Sequence, residues 1–137
     1  GGTGMIVVDV NVIAYLFISG TYTEGARAAF LKDPEWCVPQ LWRSELRSVL
    51  SLYMRKRQLS ADDALKMMGE AEAIVEGAEY GVSSADVFAM ASRSGCSAYD
   101  CEYVALAKHL EVKLVTSDRQ VLRAFPDIAM SLQAYTT

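Results

Sequence analysis

SAYDCEYVALAKHLEVKLVTSDRQVLRAF, residues 97–125, is the stretch that decides the fold. Ser97-x-x-Asp100 has the spacing of a capping box and opens a helix carrying Tyr103, Leu106, Ala107 and Leu110. Residues 112–116 form a short apolar, β-branched run of the kind that fills a fully buried strand. Asp118 then starts a short helix that runs to about residue 125. Helix, strand and helix in so short a stretch is the repeating unit of an alternating α/β chain.

Working outward, residues 5–9, MIVVD, are a second buried-strand run that ends in an acid. Residues 11–18 read as a helix stopped by Ser19-Gly20, and residues 23–31 as another stopped before Pro34. Residues 36–38 are a strand. Pro39 makes a good first helical residue and opens a long helix to about residue 57, with Trp42, Leu46, Val49, Leu50 and Tyr53 on one stripe. Ser60-x-x-Asp63 opens a helix through about residue 75, residues 79–82 are a weak strand, and Ser83-x-x-Asp86 opens a helix that ends at Gly95. A last strand covers residues 128–132. The alternation predicts a parallel sheet covered on both faces, with right-handed crossovers: a three-layer α/β/α arrangement in one domain over residues 5–137. Gly1, Gly2, Thr3 and Gly4, ahead of Met5, read as the remnant of an expression tag.

Composition narrows the chemistry. Hydrophobic residues make up 52% of the 137 and charged residues 22%, which is ordinary globular usage and excludes disorder and collagen-like repeats. The longest apolar run, residues 12–18, falls far short of the ~20 residues of a membrane helix, and no secretory signal follows Met5, so the expected setting is the cytoplasm, away from membranes. Cys37, Cys96 and Cys101 are odd in number and form no C-x-x-C, which argues against a disulfide framework or a zinc ribbon. The one histidine, His109, rules out paired-histidine acid–base catalysis. A net charge of −4 argues against holding nucleic acid by bulk positive charge, and no glycine-rich phosphate loop is present. The chemistry must come from carboxylates, hydroxyls or a metal.

Four acids stand in awkward places. Ligands of open parallel sheets bind at the carboxyl ends of strands, and Asp9 and Asp118 end two strand runs. Each also has a plain reading as a helix cap, as does Asn11. Glu45 is placed mid-helix with Leu41, Trp42, Ser48 and Val49 as its same-face neighbours and no base among them. Turned toward the core, it must be paired or metal-bound; the plain alternative is a solvated Glu at the edge of the stripe. Asp100 completes the Ser97 capping box, yet its helical neighbours Tyr103, Val104 and Ala107 draw it toward the packed face. If the four meet, each like-charge pair ~5 Å apart costs about 3 kcal/mol at an effective dielectric of 20, so the cluster must protonate, stay wet or hold cations. Oxygen ligands without His or Cys select Mg²⁺ or Mn²⁺ over zinc.

With these residues in view, the chain resembles the PIN-domain ribonucleases, most closely the VapC-type toxins of bacterial and archaeal toxin–antitoxin pairs. MIVVDVNVIAYLF, residues 5–17, is similar to that family's first strand, with its acid at Asp9 and its Asn at Asn11. RSELRSVL, residues 43–50, is similar to the helix bearing the family's glutamate, here Glu45. Residues 97–125 match its D-x-x-Y-x-A-L-A helix, strand and T-x-D, which places the remaining acids at Asp100 and Asp118 with Thr116 beside them. The resemblance spans residues 5 to about 132, and residues 58–82 join it by helical pattern alone.

It implies a five-stranded sheet in order 3-2-1-4-5, a homodimer, an antitoxin partner, and Mg²⁺- or Mn²⁺-dependent cleavage of RNA. Asp9, Asp100 and Asp118 would bind metal directly, Glu45 directly or through water, and Asn11 and Thr116 would orient these groups. Arg43, Arg47 and Arg119 are the cations best placed by sequence to meet substrate. Glu102 reads as solvated or as an outer neighbour of the site. Arg55-Lys-Arg57 and Lys108-His109 read as helix-end cations, Cys101 as a small core residue, and Met67-Met68 as core or dimer surface. Two other functions stay open on the residues: a PIN-like scaffold that binds RNA or a partner without cutting, and an aspartate-based phosphatase, for which Asp9-Val10-Asn11 lacks the second acid of D-x-D.

Overall fold

The computed structural model describes residues 4–137, so three of the four residues assigned to a tag remnant, Gly1, Gly2 and Thr3, lie outside the described residues. In chain order the elements are β1 (Met5–Val8), α1 (Val10–Phe17), α2 (Thr23–Lys32), β2 (Glu35–Pro39), α3 (Trp42–Arg55), α4 (Ala61–Ile74) and β3 (Glu79–Tyr80). There follow α5 (Ser84–Ser94), α6 (Ala98–Leu110), β4 (Leu114–Val115), α7 (Arg119–Ala124), β5 (Ala129–Met130) and α8 (Leu132–Thr136). The serine boxes cap as their spacing predicts: Ser60, Ser83 and Ser97 accept from the backbone N–H of Asp63, Asp86 and Asp100 at 3.0, 3.1 and 3.0 Å. Gly95 closes α5 in the left-handed region at φ 74°, the conformation only glycine adopts freely.

Every strand pairing is parallel, and the sheet order is β3-β2-β1-β4-β5. The pleat sends alternate residues of β1 to opposite cores. Ile6 and Val8 join Trp36, Val38 and Val115 beneath α1, α2, α3, α4 and α8. Val7 joins Cys37, Leu114 and Ala129 beneath α5, α6 and α7. The expected three layers are therefore present. The chain winds from β1 to β2 and β3 on one side and returns to β4 and β5 on the other, so the crevice between β1 and β4 is the switch point at which such sheets bind ligands. No helix among the described residues is long and apolar enough to cross a membrane.

Several boundaries differ from the sequence reading. Pro39 ends β2 instead of opening α3, which begins at Trp42. Along β2, the N–H of Glu35 turns toward β1 at Gly4, while those of Val38 and Gln40 turn toward β3 at Ala78 and Tyr80. The N–H that Pro39 lacks thus falls on the β1 side, past the last registered pair, Val7 with Cys37, where it costs no ladder bond. Residues 112–116 pair only over β4, and residues 79–82 only over β3.

The strand assigned to residues 128–132 shortens to β5 and gives way to α8, a helix the sequence reading lacks. Ser131 caps α8 by accepting from the Ala134 N–H at 3.0 Å. Leu132 and Tyr135, one turn apart, bury themselves against α2, where Lys32 Nζ donates to the Tyr135 carbonyl at 2.7 Å and the Tyr135 hydroxyl donates to Asp33. Gly25 of α2 faces Leu132 so closely that a Cβ there would stand 3.1 Å from Leu132 Cδ2. Leu132→Ala should therefore lower unfolding stability by about 2–4 kcal/mol in urea titrations, the range for emptying a buried leucine site. A change below about 0.5 kcal/mol would show that α8 is not docked as described.

Candidate metal and nucleic-acid site

Asp9 leaves β1 and binds in two directions. Its Oδ1 accepts from the Val12 N–H at 3.0 Å and caps α1. Its Oδ2 accepts from Thr116 Oγ1 at 2.5 Å and from the Ser117 N–H at 3.0 Å, just beyond β4. The cap reading of Asp9 holds on one oxygen, and the other oxygen ties β1 to the end of β4. Thr116 is buried at the same crossing, and its hydroxyl oxygen accepts from the Asp118 N–H at 3.0 Å. Asp118 in turn caps α7, with Oδ1 accepting from Val121 at 3.0 Å, and its Oδ2 keeps no protein partner.

Glu45 enters from α3. Because α3 begins at Trp42, Glu45 stands in its first turn and not in mid-helix. Its Oε1 accepts from the Tyr103 hydroxyl at 2.5 Å. Tyr103 is buried in α6, and a buried phenol needs a partner; that requirement is the signal in the sequence that could have marked it as more than a stripe residue. Asp100 enters from the first turn of α6. Its backbone N–H takes up the Ser97 cap, which leaves the carboxyl group to face inward. Asp9, Asn11, Glu45, Asp100, Thr116 and Asp118 all line one cleft of about 80 Å³.

The electrostatics follow from this crowding. Burial raises the pKa of Asp9, against the lowering effect of the Thr116 hydroxyl and the backbone N–H donors. Burial raises Glu45 as well, Tyr103 opposes it, and Asp100, Asp9 and Glu102 push it further up. Asp100 is raised by burial and by Asp118, with the Ser97 hydroxyl opposing. These are carboxyl groups short of cations: among the described residues no base hydrogen-bonds to any of the four. The donor set is hard oxygen only, which suits Mg²⁺ or Mn²⁺. Among the described residues, no three of these acids close around a single point. That spacing suits an ion that keeps several waters and takes one or two carboxylates at a time, as Mg²⁺ does.

The other expected residues divide. Arg43 is committed elsewhere: it pairs with Glu72 and donates to both oxygens of Glu79, at 2.7 and 3.0 Å, while Trp42 Nε1 also donates to Glu79 at 2.8 Å. Arg47 and Arg119 are exposed and have no acid partner among the described residues. Glu102 is half-buried beside the cleft without lining it, and burial raises its pKa. Arg55, Lys108 and His109 lie in last helical turns, where cations meet the dipole favourably; Cys101 is fully buried, and Met68 packs in the core with Met67 against it.

Comparison with known proteins adds identity to this geometry. Ribonuclease VapC3 of Pyrobaculum aerophilum is 32% identical over 124 residues, covering 88% of this chain and 95% of that protein. The crystal structure of PAE2754, also from Pyrobaculum aerophilum, superposes with a TM-score of 0.75 at 17% identity, over 96% of this chain and 86% of that one, a likeness of fold. The model of the PIN domain family matches residues 6–127, from within β1 to just short of β5, and so takes in all four acids. The chain belongs to the PIN domain family.

Proposed function

We propose that this protein is a Mg²⁺- or Mn²⁺-dependent endoribonuclease that cuts single-stranded or loop RNA, and that it is the toxin of a VapBC-type pair. The observation that carries this reading is the convergence of Asp9, Glu45, Asp100 and Asp118 on the cleft at the β1–β4 switch point. The relative named as a ribonuclease, matched over most of both chains, supports it. Asp9, Asp100 and Asp118 would hold the ion, one or two of them bonded to it directly and the rest through its waters, with Glu45 directly or through water. Once bound, such an ion lowers the pKa of a coordinated water and neutralises charge on the phosphate under attack.

The chain's own groups supply the rest. Thr116, Ser117 and Val12 fix the Asp9 carboxylate in place. Tyr103 holds Glu45 Oε1 and leaves Oε2 without a protein partner, available to water or to its proton. Arg119 and Arg47 are the cations free to meet phosphate, since Arg43 is held by Glu72 and Glu79. A net charge of −4 sets affinity by a few such contacts and the ion, so long duplexes should be poor substrates. Unpaired bases are the accessible ones in RNA.

The same reading implies a cytoplasmic homodimer with an antitoxin whose Arg- or Lys-bearing segment takes the metal's place among the carboxylates. Coexpression with the antitoxin should give a complex without RNase activity; a complex as active as the free protein would contradict that partnership.

Labelled unpaired, hairpin and fully duplex RNAs incubated with Mn²⁺ test the central reading. Cutting should favour the first two and vanish in Asp100→Ala with the fold intact. Equal cutting of all three would refute the substrate class, and activity surviving in Asp100→Ala would refute the site. No cutting at all would favour a non-catalytic PIN scaffold.

Thermal unfolding checks the ion separately. Millimolar Mg²⁺ or Mn²⁺ should raise the melting temperature, by about 2.7 kcal/mol of stability at a hundredfold excess over Kd, and Asp9→Asn should blunt the response. A metal-independent melting temperature would count against the ion.

Metal-free protein should show a pH signature. A carboxyl raised above its ordinary 4.5, as Glu45 is, favours folding while protonated, and that contribution is lost as pH climbs through the raised value. Glu45→Gln keeps an acceptor for Tyr103 without the charge. It should match wild type near pH 4 and melt higher at pH 7; a difference that does not change with pH would mean that Glu45 is not strained.

A further inference from the structure

The acidic cleft, at about 80 Å³, has room for a hydrated ion and not for a nucleotide, so a strand cut there must lie across it and continue onto neighbouring surface. One neighbouring surface differs from the rest of this acidic chain. A groove of about 740 Å³ runs from the β4–α7 loop toward α1, α2 and α8, and it adjoins the cleft at Thr116, which lines both. Among the described residues no acid lines it, and its one charged group is Arg119, next to Asp118 in the chain and without an acid partner. Its far wall carries Tyr15 and Tyr22, whose ring centroids lie 4.9 Å apart at 34°. Tyr15 packs against the core, whereas Tyr22 is 56% exposed. An exposed aromatic residue, a free cation and a volume within the usual range for ligand sites, all adjoining a cleft built for phosphodiester chemistry, fit one chemical class.

We propose that this groove is the seat of the unpaired RNA strand next to the scissile phosphate: a base stacks on the Tyr22–Tyr15 pair, and Arg119 takes the intervening phosphate. The proposal rests on the nuclease reading and deepens it. Stacking on an aromatic ring requires a base already free of its duplex, so the groove supplies the preference for unpaired RNA that the acidic cleft cannot supply by itself. Selectivity among bases should be weak, because every base has a π face.

The experiment pairs steady-state cleavage of unpaired RNA in Mn²⁺ with binding of the same RNA carrying 2-aminopurine beside the cut position. Tyr22→Ala should raise KM about tenfold with kcat within about twofold, and should abolish the quenching that stacking produces. Tyr22→Phe, which keeps the ring, should restore both. Arg119→Gln, on a different element, should raise KM and shallow the salt dependence by about one phosphate contact; it keeps the test alive if Tyr22→Ala fails to fold. Unchanged KM and quenching in the alanine variant, with wild type cutting normally, would overturn the groove and leave the nuclease reading standing. No cutting by wild type, with quenching still lost in Tyr22→Ala, would remove the nuclease reading and keep the groove as an RNA-binding site. Neither cutting nor quenching in wild type would overturn both.

Discussion

The carboxylate of Asp9 ties together the ends of the two central strands, and the site depends on that tie. Its bonds to Thr116 and Ser117 close the β1 end onto the β4 end, while the bond to Val12 fixes where α1 begins. In a sheet whose strands here are only two to five residues long, such a clasp positions more than the ladder alone can. Thr116 passes the constraint on to Asp118 through its hydroxyl oxygen, so the two acids that end adjacent strands are set by one chain of hydrogen bonds. Glu45 and Asp100 reach the same cleft from helices on opposite sides of the sheet, and Tyr103 bridges one helix to the other. Carboxyl groups held together this way raise one another's pKa, and a rigid frame keeps that repulsion from relaxing until a cation answers it.

Much of this was legible in the sequence because the signals were local. Serine boxes announced α4, α5 and α6, and β-branched runs announced β1 and β4. The acids showed themselves by their positions, at strand ends or on packed helix faces where charge does not belong. What escaped depended on tertiary pairing. Pro39 has the right chemistry for a helix start, and only the register of β2 against β1 and β3 shows that its missing N–H is harmless at a strand end. The last helix, α8, was hidden because its two buried residues gain their environment from α2, more than a hundred residues earlier for the Lys32–Tyr135 contact. Tyr103 read as core, since its partner Glu45 lies 58 positions away. Arg43 looked free for the same reason, its acids Glu72 and Glu79 being distant in sequence.

Membership of the PIN domain family and the geometry of the cleft limit each other usefully. Family membership accounts for the sheet order. The geometry accounts for how this chain sets its acids: both oxygens of Asp9 are engaged, one each of Glu45 and Asp118 remains open among the described residues, and an aromatic groove whose one charged lining residue is Arg119 adjoins the cleft at Thr116. Under the proposed function, a negatively charged protein acting on a polyanion would have to concentrate attraction where the chemistry occurs, and a cation held beside Arg119 would do that without a basic surface.

The central claim is that the carboxylate cleft holds a divalent ion, and anomalous diffraction from crystals grown in Mn²⁺ tests it most directly. The account predicts an anomalous peak within the cleft, bonded to carboxylate oxygens of Asp9, Asp100 or Asp118 and completed by water. A cleft without a peak at saturating Mn²⁺, or with Mn²⁺ bound only elsewhere on the protein, would contradict it.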